Sequence, residues 1–415
     1  MGGTTGTGIL ATPAEVAQAA GTPGRVLLFW LLGGLYTLLG AVQLAELGAM
    51  LPRAGGWMAY AERAFGRYAG YVVAWADWVS SCVTGALVAL LSADFAAQLW
   101  PALAGHQTAV ALALVAGFGA VQWRGVHAGS RAQEWTSVLM AAGLAAVVAG
   151  CFAWLPVAPE PAAAAAAPPL SLAGLMVILQ AVVFAYDGWY AAIYFAEEDH
   201  DPAHDLPRSL LLGVGLILLT YLLLNAALLH ALPLAQVAAA PLPLAAAAER
   251  LAGPWGARAV LVVALLALGG VLNSVLLMAT RVLFALGRDG LMPARLAQVA
   301  PGGTPRPALA VAGLLTAALV LTGTAEALLA ITTILYVGYY AAGYAAVLVL
   351  RRRAPELPRP FRAWGYPLST MAVLAGSGAF LLGNVLADPR NSAAAAALLL
   401  FSYPAYRWVR RRPLR

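Results

Sequence analysis

The chain has 415 residues, of which 62% are hydrophobic and only 10% are charged, and its mean hydropathy is +0.80. Soluble domains carry roughly a quarter charged residues and about half apolar ones, so this composition excludes an ordinary soluble protein. The formal net charge is +6, and all 24 basic residues are arginine. These arginines lie mainly in loops between apolar segments, which argues for a role in membrane topology and against nucleic-acid binding.

Apolar segments of helical length follow one another along the chain, and the sequence lacks the strand-length alternation of outer-membrane barrels. A helix needs about 20 residues to cross the hydrocarbon core of a bilayer. The predicted spans are 9–20 (a half helix), 27–50, 68–99, 108–124, 131–153, 171–196, 208–231, 257–286, 308–323, 325–350, 366–386 and 392–409. We therefore predict an all-α membrane protein with about 12 transmembrane helices, the first of them truncated.

Arginine is concentrated in alternate loops. The arginine-rich loops hold Arg53, Arg63, Arg67, Arg124, Arg131, Arg208, Arg288, Arg295, Arg306, Arg351, Arg352, Arg353, Arg359, Arg362 and the tail from Arg407 to Arg415. The other loops hold Arg25, Arg250, Arg258 and Arg390. Because positively charged loops stay in the cytoplasm, the pattern predicts a multi-pass protein of the cytoplasmic (inner) membrane with a cytoplasmic C-terminus.

Two glycine-bearing interruptions divide this apolar sequence. One runs from Gly2 to Ile9, and the other runs from Phe184 to Trp189 inside a hydrophobic segment. Backbone groups in lipid must be bonded internally, so a break at membrane depth indicates backbone that faces a cavity or a ligand. Paired breaks in two halves of a chain point to the substrate site of a transporter.

The spacing of the breaks favours a five-plus-five inverted repeat in which helices 1 and 6 are discontinuous. The stretch rich in proline and alanine between the halves is predicted to be an external linker. The predicted units are residues 1–157 (first half, helices 1b to 5), 158–170 (linker), 171–350 (second half, helices 6 to 10) and 351–415 (helices 11 and 12 with a basic cytoplasmic tail).

Several short motifs occur in order over most of the chain. They include Gly6-Thr7-Gly8-Ile9, Gly21-Thr22-Pro23-Gly24, Ala45-Glu46-Leu47-Gly48, Pro52-Arg53-Ala54-Gly55-Gly56, Phe184-Ala185-Tyr186-Asp187-Gly188-Trp189, Leu206-Pro207-Arg208 and Arg288-Asp289-Gly290-Leu291-Met292-Pro293. Together they resemble the amino acid–polyamine–organocation permeases. The resemblance implies the leucine-transporter-like fold and amino acid transport. The second break also resembles that of the branch that exchanges neutral amino acids.

The two breaks offer complementary groups for an α-amino acid. A half-helix N-terminus carries partial positive charge and binds carboxylates. The N–H groups expected there belong to Gly6, Thr7, Gly8 and Ile9. Free carbonyls that accept bonds from an ammonium are expected at Thr4, Phe184, Ala185 and Asp187, the last beside Gly188. The alternative is that the glycines only permit close helix packing.

Acids inside a membrane are costly and usually face a cavity. Asp77 and Asp187 are each predicted to bind substrate or to carry a proton, with a structural hydrogen bond as the alternative. Glu46 is predicted to pair with Arg53 or Arg63.

The resemblance adds further site residues. It implies that Asp77 faces the site one helical turn before Ser81 and that Phe184 covers the substrate as a gate. It also places Asn273 opposite the first break, where the residue lines the substrate or bonds to a neighbouring helix. Tyr336 is a second candidate gate, with packing as the alternative.

The sequence departs from the family pattern in two ways. The half helix that precedes the first break in similar permeases is missing, so we expect the native start to lie upstream of Met1. Many proton-coupled relatives carry a lysine near the position of Met140, and this chain has no lysine. Exchange, uniport, or coupling through Asp77 or Asp187 therefore remain open.

The leading hypothesis is a secondary transporter of neutral amino acids that works by alternating access, by exchange or by proton coupling. The alternatives are a polyamine or amine permease and a substrate sensor that does not transport. An enzyme is disfavoured because no nucleotide loop or nucleophile motif occurs, and no cofactor or metal is predicted. The expected partners are the amino acid and membrane lipid, not nucleic acid, and the sequence leaves the oligomeric state open.

Overall fold

The structure, a computed structural model, describes residues 7–52, 56–125, 127–159, 169–195 and 201–410. Within these ranges the chain forms helices joined by loops. The α-helices are α1 (Thr7–Ala20), α2 (Pro23–Met50), α3 (Trp57–Phe65), α4 (Arg67–Leu99), α5 (Gln107–Arg124), α6 (His127–Trp154), α7 (Leu172–Tyr186), α8 (Pro202–Ala231), α9 (Leu234–Ala239), α10 (Pro243–Arg288), α11 (Arg306–Thr322), α12 (Ala325–Arg353), α13 (Leu368–Ala387), α14 (Pro389–Leu400) and α15 (Ser402–Arg410). Short 3₁₀ helices cover Pro101–Leu103, Ala191–Phe195 and Ala294–Ala297.

Among the described residues, six helices are long and apolar enough to cross a bilayer. They are α2, α4, α8, α10, α12 and α13. Shorter apolar helices cover Met140–Trp154, Leu172–Tyr186 and Arg306–Thr322. The predicted all-helical class is confirmed, and the helices are those of a multi-pass membrane protein.

Local side-chain caps set several helix starts. The Thr22 hydroxyl accepts a bond from the Arg25 N–H at the start of α2, and the Ser171 hydroxyl accepts one from the Gly174 N–H in α7. Thr324 caps α12 in the same way. These hydroxyls satisfy N–H groups that have no partner within the helix. The ends of the membrane helices are therefore encoded locally.

The second break lies where the sequence places it. Helix α7 ends at Tyr186, after which Asp187 is extended (φ −61°, ψ 159°) and Gly188 has a φ of +85°. A positive φ is readily adopted only by glycine, so the Asp-Gly pair ends the helix. The chain then continues as the 3₁₀ helix Ala191–Phe195.

Two predicted spans differ from the observed helices. Helix α10 begins at Pro243 and bends at Ala252 and Gly253, so the predicted span 257–286 is only its straight part. The predicted span 392–409 is two helices, α14 and α15, that meet at Phe401. Helix α14 has 12 residues and is about 18 Å long, which is shorter than a hydrocarbon core.

Helix α4 lies at the centre of the bundle. Most of its apolar window is buried, and it packs against α10, α12, α3, α5 and α11. Helix α1 packs mainly against α7, and α2 packs mainly against α8. These packings bring the two breaks, the middle of α4 and the middle of α12 together.

Candidate functional site

Gly8, from the end of the first break, meets Ala185, from the second break, at a backbone-to-backbone crossing of α1 and α7. A Cβ atom added to Gly8 would lie 2.1 Å from the Cα atom of Ala185. Ile9 follows Gly8 and is also buried. The structure therefore brings together Gly8, Ile9 and Ala185 from the predicted site. Outside the described residues are Thr4, Gly6 and the side chain of Thr7.

Two of the carbonyls expected to be free at the second break already have partners. The Ala185 carbonyl accepts a 2.9 Å hydrogen bond from the Tyr221 hydroxyl of α8. The Phe184 carbonyl accepts a 3.2 Å bond from the Asp187 N–H. The expectation that both are unpaired is wrong, because a buried carbonyl without a partner is costly and a neighbouring helix supplies one.

The carboxylate of Asp187 lies at the break and is held by α12. Its Oδ1 atom accepts a hydrogen bond from the Tyr340 hydroxyl. The Tyr336 ring stacks on Tyr340, with centroids 6.2 Å apart and planes inclined by 18°. Asp187 and Gly188 are partly exposed, whereas Phe184 and Ala185 are buried. At the second break, the carboxylate of Asp187 is therefore partly accessible inside the protein, whereas the residues before it are buried.

Asp77 provides a second acid, in the middle of α4. It is 2% exposed, and its Oδ2 atom accepts a hydrogen bond from the Tyr194 hydroxyl in the 3₁₀ helix after the break. Its Oδ1 atom is buried and has no hydrogen-bond partner within the described part of the chain. Ser81 lies one turn further along α4 and is also buried.

The described residues contain no group of three or more His, Cys, Asp or Glu side chains suited to a metal ion.

Hydroxyl groups connect α4 to α12 beside these acids. The Thr84 hydroxyl bonds to the Tyr336 hydroxyl and lies 2.9 Å from the Thr332 hydroxyl. Thr332 in turn donates to the Ser80 carbonyl over 3.2 Å. Sequence reasoning missed Thr84, Thr332 and Tyr194, because single hydroxyl residues in apolar helices carry no pattern until the helices are paired.

An aromatic cluster closes the site on the side of α3. The Trp57 ring packs against Trp189, Tyr190 and Tyr340, with centroid distances of 6.2, 5.5 and 5.3 Å. The hydroxyl of Tyr190 also bonds to that of Tyr339 over 2.7 Å. In the sequence, nothing marks Trp57 except that it directly follows the motif Pro52-Arg53-Ala54-Gly55-Gly56.

Asn273 makes a helix-to-helix contact. The side-chain amide of Gln122 in α5 donates to the Asn273 Oδ1 atom over 2.9 Å and to the Asn273 carbonyl over 2.7 Å. This is the interhelical bonding that the sequence left open as the alternative to substrate contact. None of the described hydrogen bonds joins Asn273 to the residues around Asp187.

The predicted ion pair of Glu46 with Arg63 is wrong, and the alternative partner Arg53 lies outside the described residues. Glu46 is 1% exposed and accepts two bonds from Arg351 of α12, one of them 2.8 Å from Nε. The Ala363 N–H donates to the same carboxylate over 2.7 Å, and the Arg359 Nε atom lies 3.5 Å away. The end of α12 and the following loop reach Glu46, whereas Arg63 on α3 is exposed.

Comparison with known proteins identifies the family to which the chain belongs. A family model described as amino acid permease matches residues 1–402. The chain belongs to the amino acid permease family. The resemblance to the amino acid–polyamine–organocation superfamily is therefore confirmed.

Several curated transporters are similar to this permease over nearly its whole length. The large neutral amino acids transporter small subunit 2 of Mus musculus is 27% identical over 429 residues, which cover 98% of this chain and 78% of the relative. The serine/threonine exchanger SteT of Bacillus subtilis is 26% identical over 414 residues, covering 98% and 93%. The Asc-type amino acid transporter 1 of Homo sapiens is 27% identical over 420 residues, covering 98% and 79%.

Proposed function

We propose that this permease is a secondary transporter that carries neutral amino acids across the cytoplasmic membrane by alternating access. The observation that carries the proposal is the crossing of Gly8 and Ala185, which joins the two breaks beside the Asp187 carboxylate. The names of the similar transporters support the substrate class, because they specify neutral amino acids or serine and threonine.

The crossing suits the two charged groups of an amino acid. The first N–H groups of a helix have no intrahelical partner and carry partial positive charge. The N–H groups of Thr7, Gly8 and Ile9, in the first described turn of α1, would bind the substrate carboxylate. The ammonium would lie near the Asp187–Gly188 break, where a carboxylate is partly exposed. Phe184 and Tyr336 remain the proposed gates.

A pseudo-two-fold repeat accounts for the packing of the helices. If residues 1–157 and 171–350 are repeats, α1 corresponds to α7, α2 to α8, and α4 to α10. The corresponding helices in each of these pairs pack against each other, as elements around a two-fold axis do. The proposed arrangement therefore has 12 spans, the last of which begins with α14.

Two mechanisms of coupling fit the two acids. None of the described hydrogen bonds or ion pairs joins Asp77 or Asp187 to an arginine or a histidine. Charged groups in an apolar interior need a partner, so either acid suits a bound proton or a cationic group. Proton-coupled uptake would use these carboxylates, whereas exchange would need only the substrate to reset the cycle.

An amine permease is the second candidate function. The observation in its favour is the buried Asp77 Oδ1 atom, which has no partner in the described part of the chain. A second ammonium group of a diamine would pair with such an atom. A neutral amino acid has no second cationic group to place there.

Uptake into proteoliposomes tests these possibilities. Labelled leucine, serine and putrescine would be offered to vesicles that are empty, preloaded with the same compound, or under a pH gradient. Amino acid uptake only into preloaded vesicles would support exchange, and gradient-driven uptake into empty vesicles would support proton coupling. Putrescine uptake alone would favour the amine permease. The absence of any flux by folded protein would overturn the transport proposal and favour a sensor.

A further inference from the structure

One end of the molecule carries an exposed aromatic and basic surface that the proposed transport cycle does not use. This interfacial patch consists of Arg67 and Tyr68 at the start of α4 and of Tyr403, Arg407 and Trp408 in α15. The exposed fractions of its three aromatic side chains are 41% for Tyr68, 50% for Tyr403 and 48% for Trp408. Arg67 and Arg407 are exposed as well.

Ring contacts hold the patch in a defined shape. The Tyr68 and Tyr403 rings are 6.0 Å apart between centroids. Tyr406, on the buried side of α15, packs 5.0 Å from Tyr68 and 5.1 Å from Tyr71. The Arg407 guanidinium lies 5.7 Å from the centre of the Tyr403 ring. Tyr403 and Tyr406 therefore attach α15 to α4, while Arg407 and Trp408 of the same helix are exposed.

The patch lies where two membrane-spanning helices end. Arg67 is the first residue of α4, and its guanidinium donates over 2.9 Å to the carbonyl of Asp289, the residue after the end of α10. The polar boundary of the bilayer must fall close to this level. Tyrosine and tryptophan favour this boundary, and arginine reaches from it to phosphate groups.

The positive charge of the interfacial patch determines which lipid headgroups it attracts. The sequence from 401 to 415 contains no acidic residue, and its arginines are Arg407, Arg410, Arg411, Arg412 and Arg415. A basic segment with interleaved aromatic residues is attracted to anionic lipid surfaces. We propose that the interfacial patch binds the headgroups of anionic phospholipids, with Arg407 on the phosphate and with Tyr403 and Trp408 at the level of the ester groups.

Thermal unfolding with added lipid tests the proposal on the purified full chain in a neutral detergent. Phosphatidylglycerol and phosphatidylcholine with the same acyl chains would be compared. We expect phosphatidylglycerol to raise Tm more than phosphatidylcholine does, and we expect Arg407→Gln to lose most of that difference. Arg407→Lys, which keeps the charge, should retain it.

Arg258→Gln provides a matched control. Arg258 is also exposed and lies 5.4 Å from the centre of an aromatic ring, that of Trp255, but it is near the opposite end of α10. This variant should respond to phosphatidylglycerol like the original chain. Native mass spectrometry of retained lipid gives a second reading that does not depend on stability.

Three results would overturn the proposal. The two lipids could stabilise the original chain equally. Arg407→Gln could keep both the full difference in Tm and the full amount of retained phosphatidylglycerol. Finally, inorganic phosphate or glycerol phosphate could reproduce the whole shift, which would identify a small-anion site and not a lipid surface.

Discussion

At the level of single residues, Gly8 leaves no room for a side chain. The nearest atom to an added Cβ is the Ala185 Cα atom at 2.1 Å, which belongs to the backbone and cannot rotate away. Any larger residue must therefore separate α1 from α7. The proposed substrate groups lie on both sides of this contact, so their spacing depends on it.

We predict that Gly8→Ala abolishes most transport and destabilises the fold by about 1–3 kcal/mol, the usual range for overpacking. Gly213→Ala in α8 is the control, because a Cβ there meets nothing within 4 Å. Initial uptake rates and Tm in detergent would be measured for both. Equal uptake by the two variants would contradict the argument.

The hydroxyl of Tyr340 is the group that holds the Asp187 carboxylate. Tyr340→Phe removes one of the hydrogen-bond donors to this partly buried carboxylate, and such a bond contributes about 0.5–3 kcal/mol. We expect a rise in KM for the amino acid, because the carboxylate near the proposed ammonium position is no longer oriented. The measurement is the concentration dependence of uptake.

Tyr60→Phe is the control for this change. Tyr60 is also a buried tyrosine, but its hydroxyl has no hydrogen-bond partner within the described residues. Its loss should leave KM unchanged. An unchanged KM for Tyr340→Phe as well would show that Asp187 does not need this donor.

At the level of elements, the ion pair of Glu46 joins the end of α2 to the end of α12. One carboxylate faces two arginines, and Arg359 also donates to the carbonyls of Leu350 and Ala354, which end α12. The Arg351 guanidinium stacks on the Tyr366 ring at 3.8 Å. This cluster therefore fixes where α2, α12 and the loop before α13 lie relative to each other.

We predict that Glu46→Gln lowers stability by about 3–5 kcal/mol, because it leaves two arginines without a buried counter-charge. Asp289→Asn is the matched control, since its pair with Arg288 spans 3.2 Å on the surface, where such a pair contributes at most about 1 kcal/mol. Thermal unfolding in detergent compares the two. Similar Tm losses for both variants would refute the structural role of the Glu46 cluster.

The ends of the helices also show which structural features the sequence does not predict. Hydropathy predicted the ends of most helices within a few residues, because it is a local property. The same signals predicted one helix over 392–409, whereas the chain forms two that meet at Phe401. The segment that begins at Ser402 packs through Tyr406 on Tyr68 and Tyr71, and this contact comes from a distant part of the chain.

At the level of the whole molecule, the arginine distribution predicts the orientation in the membrane. In a variant whose buried Cys82 and Cys151 are replaced by serine, Arg390→Cys should react with an impermeant maleimide in intact cells. Arg295→Cys should react only after the membrane is opened. Both arginines are exposed, so access to the reagent decides the result. The reverse labelling pattern would invert the proposed topology.

The sequence by itself determined the membrane class, the family and the position of the second break. These follow from hydropathy over about 20 residues and from short motifs, which are readable without knowledge of neighbours. Only the tertiary structure decided which side chains bond to each other. Glu46 pairs with a residue 305 positions away, and Asp187 bonds to one 153 positions away. Such pairs depend on which helices pack together, and no local pattern records that choice.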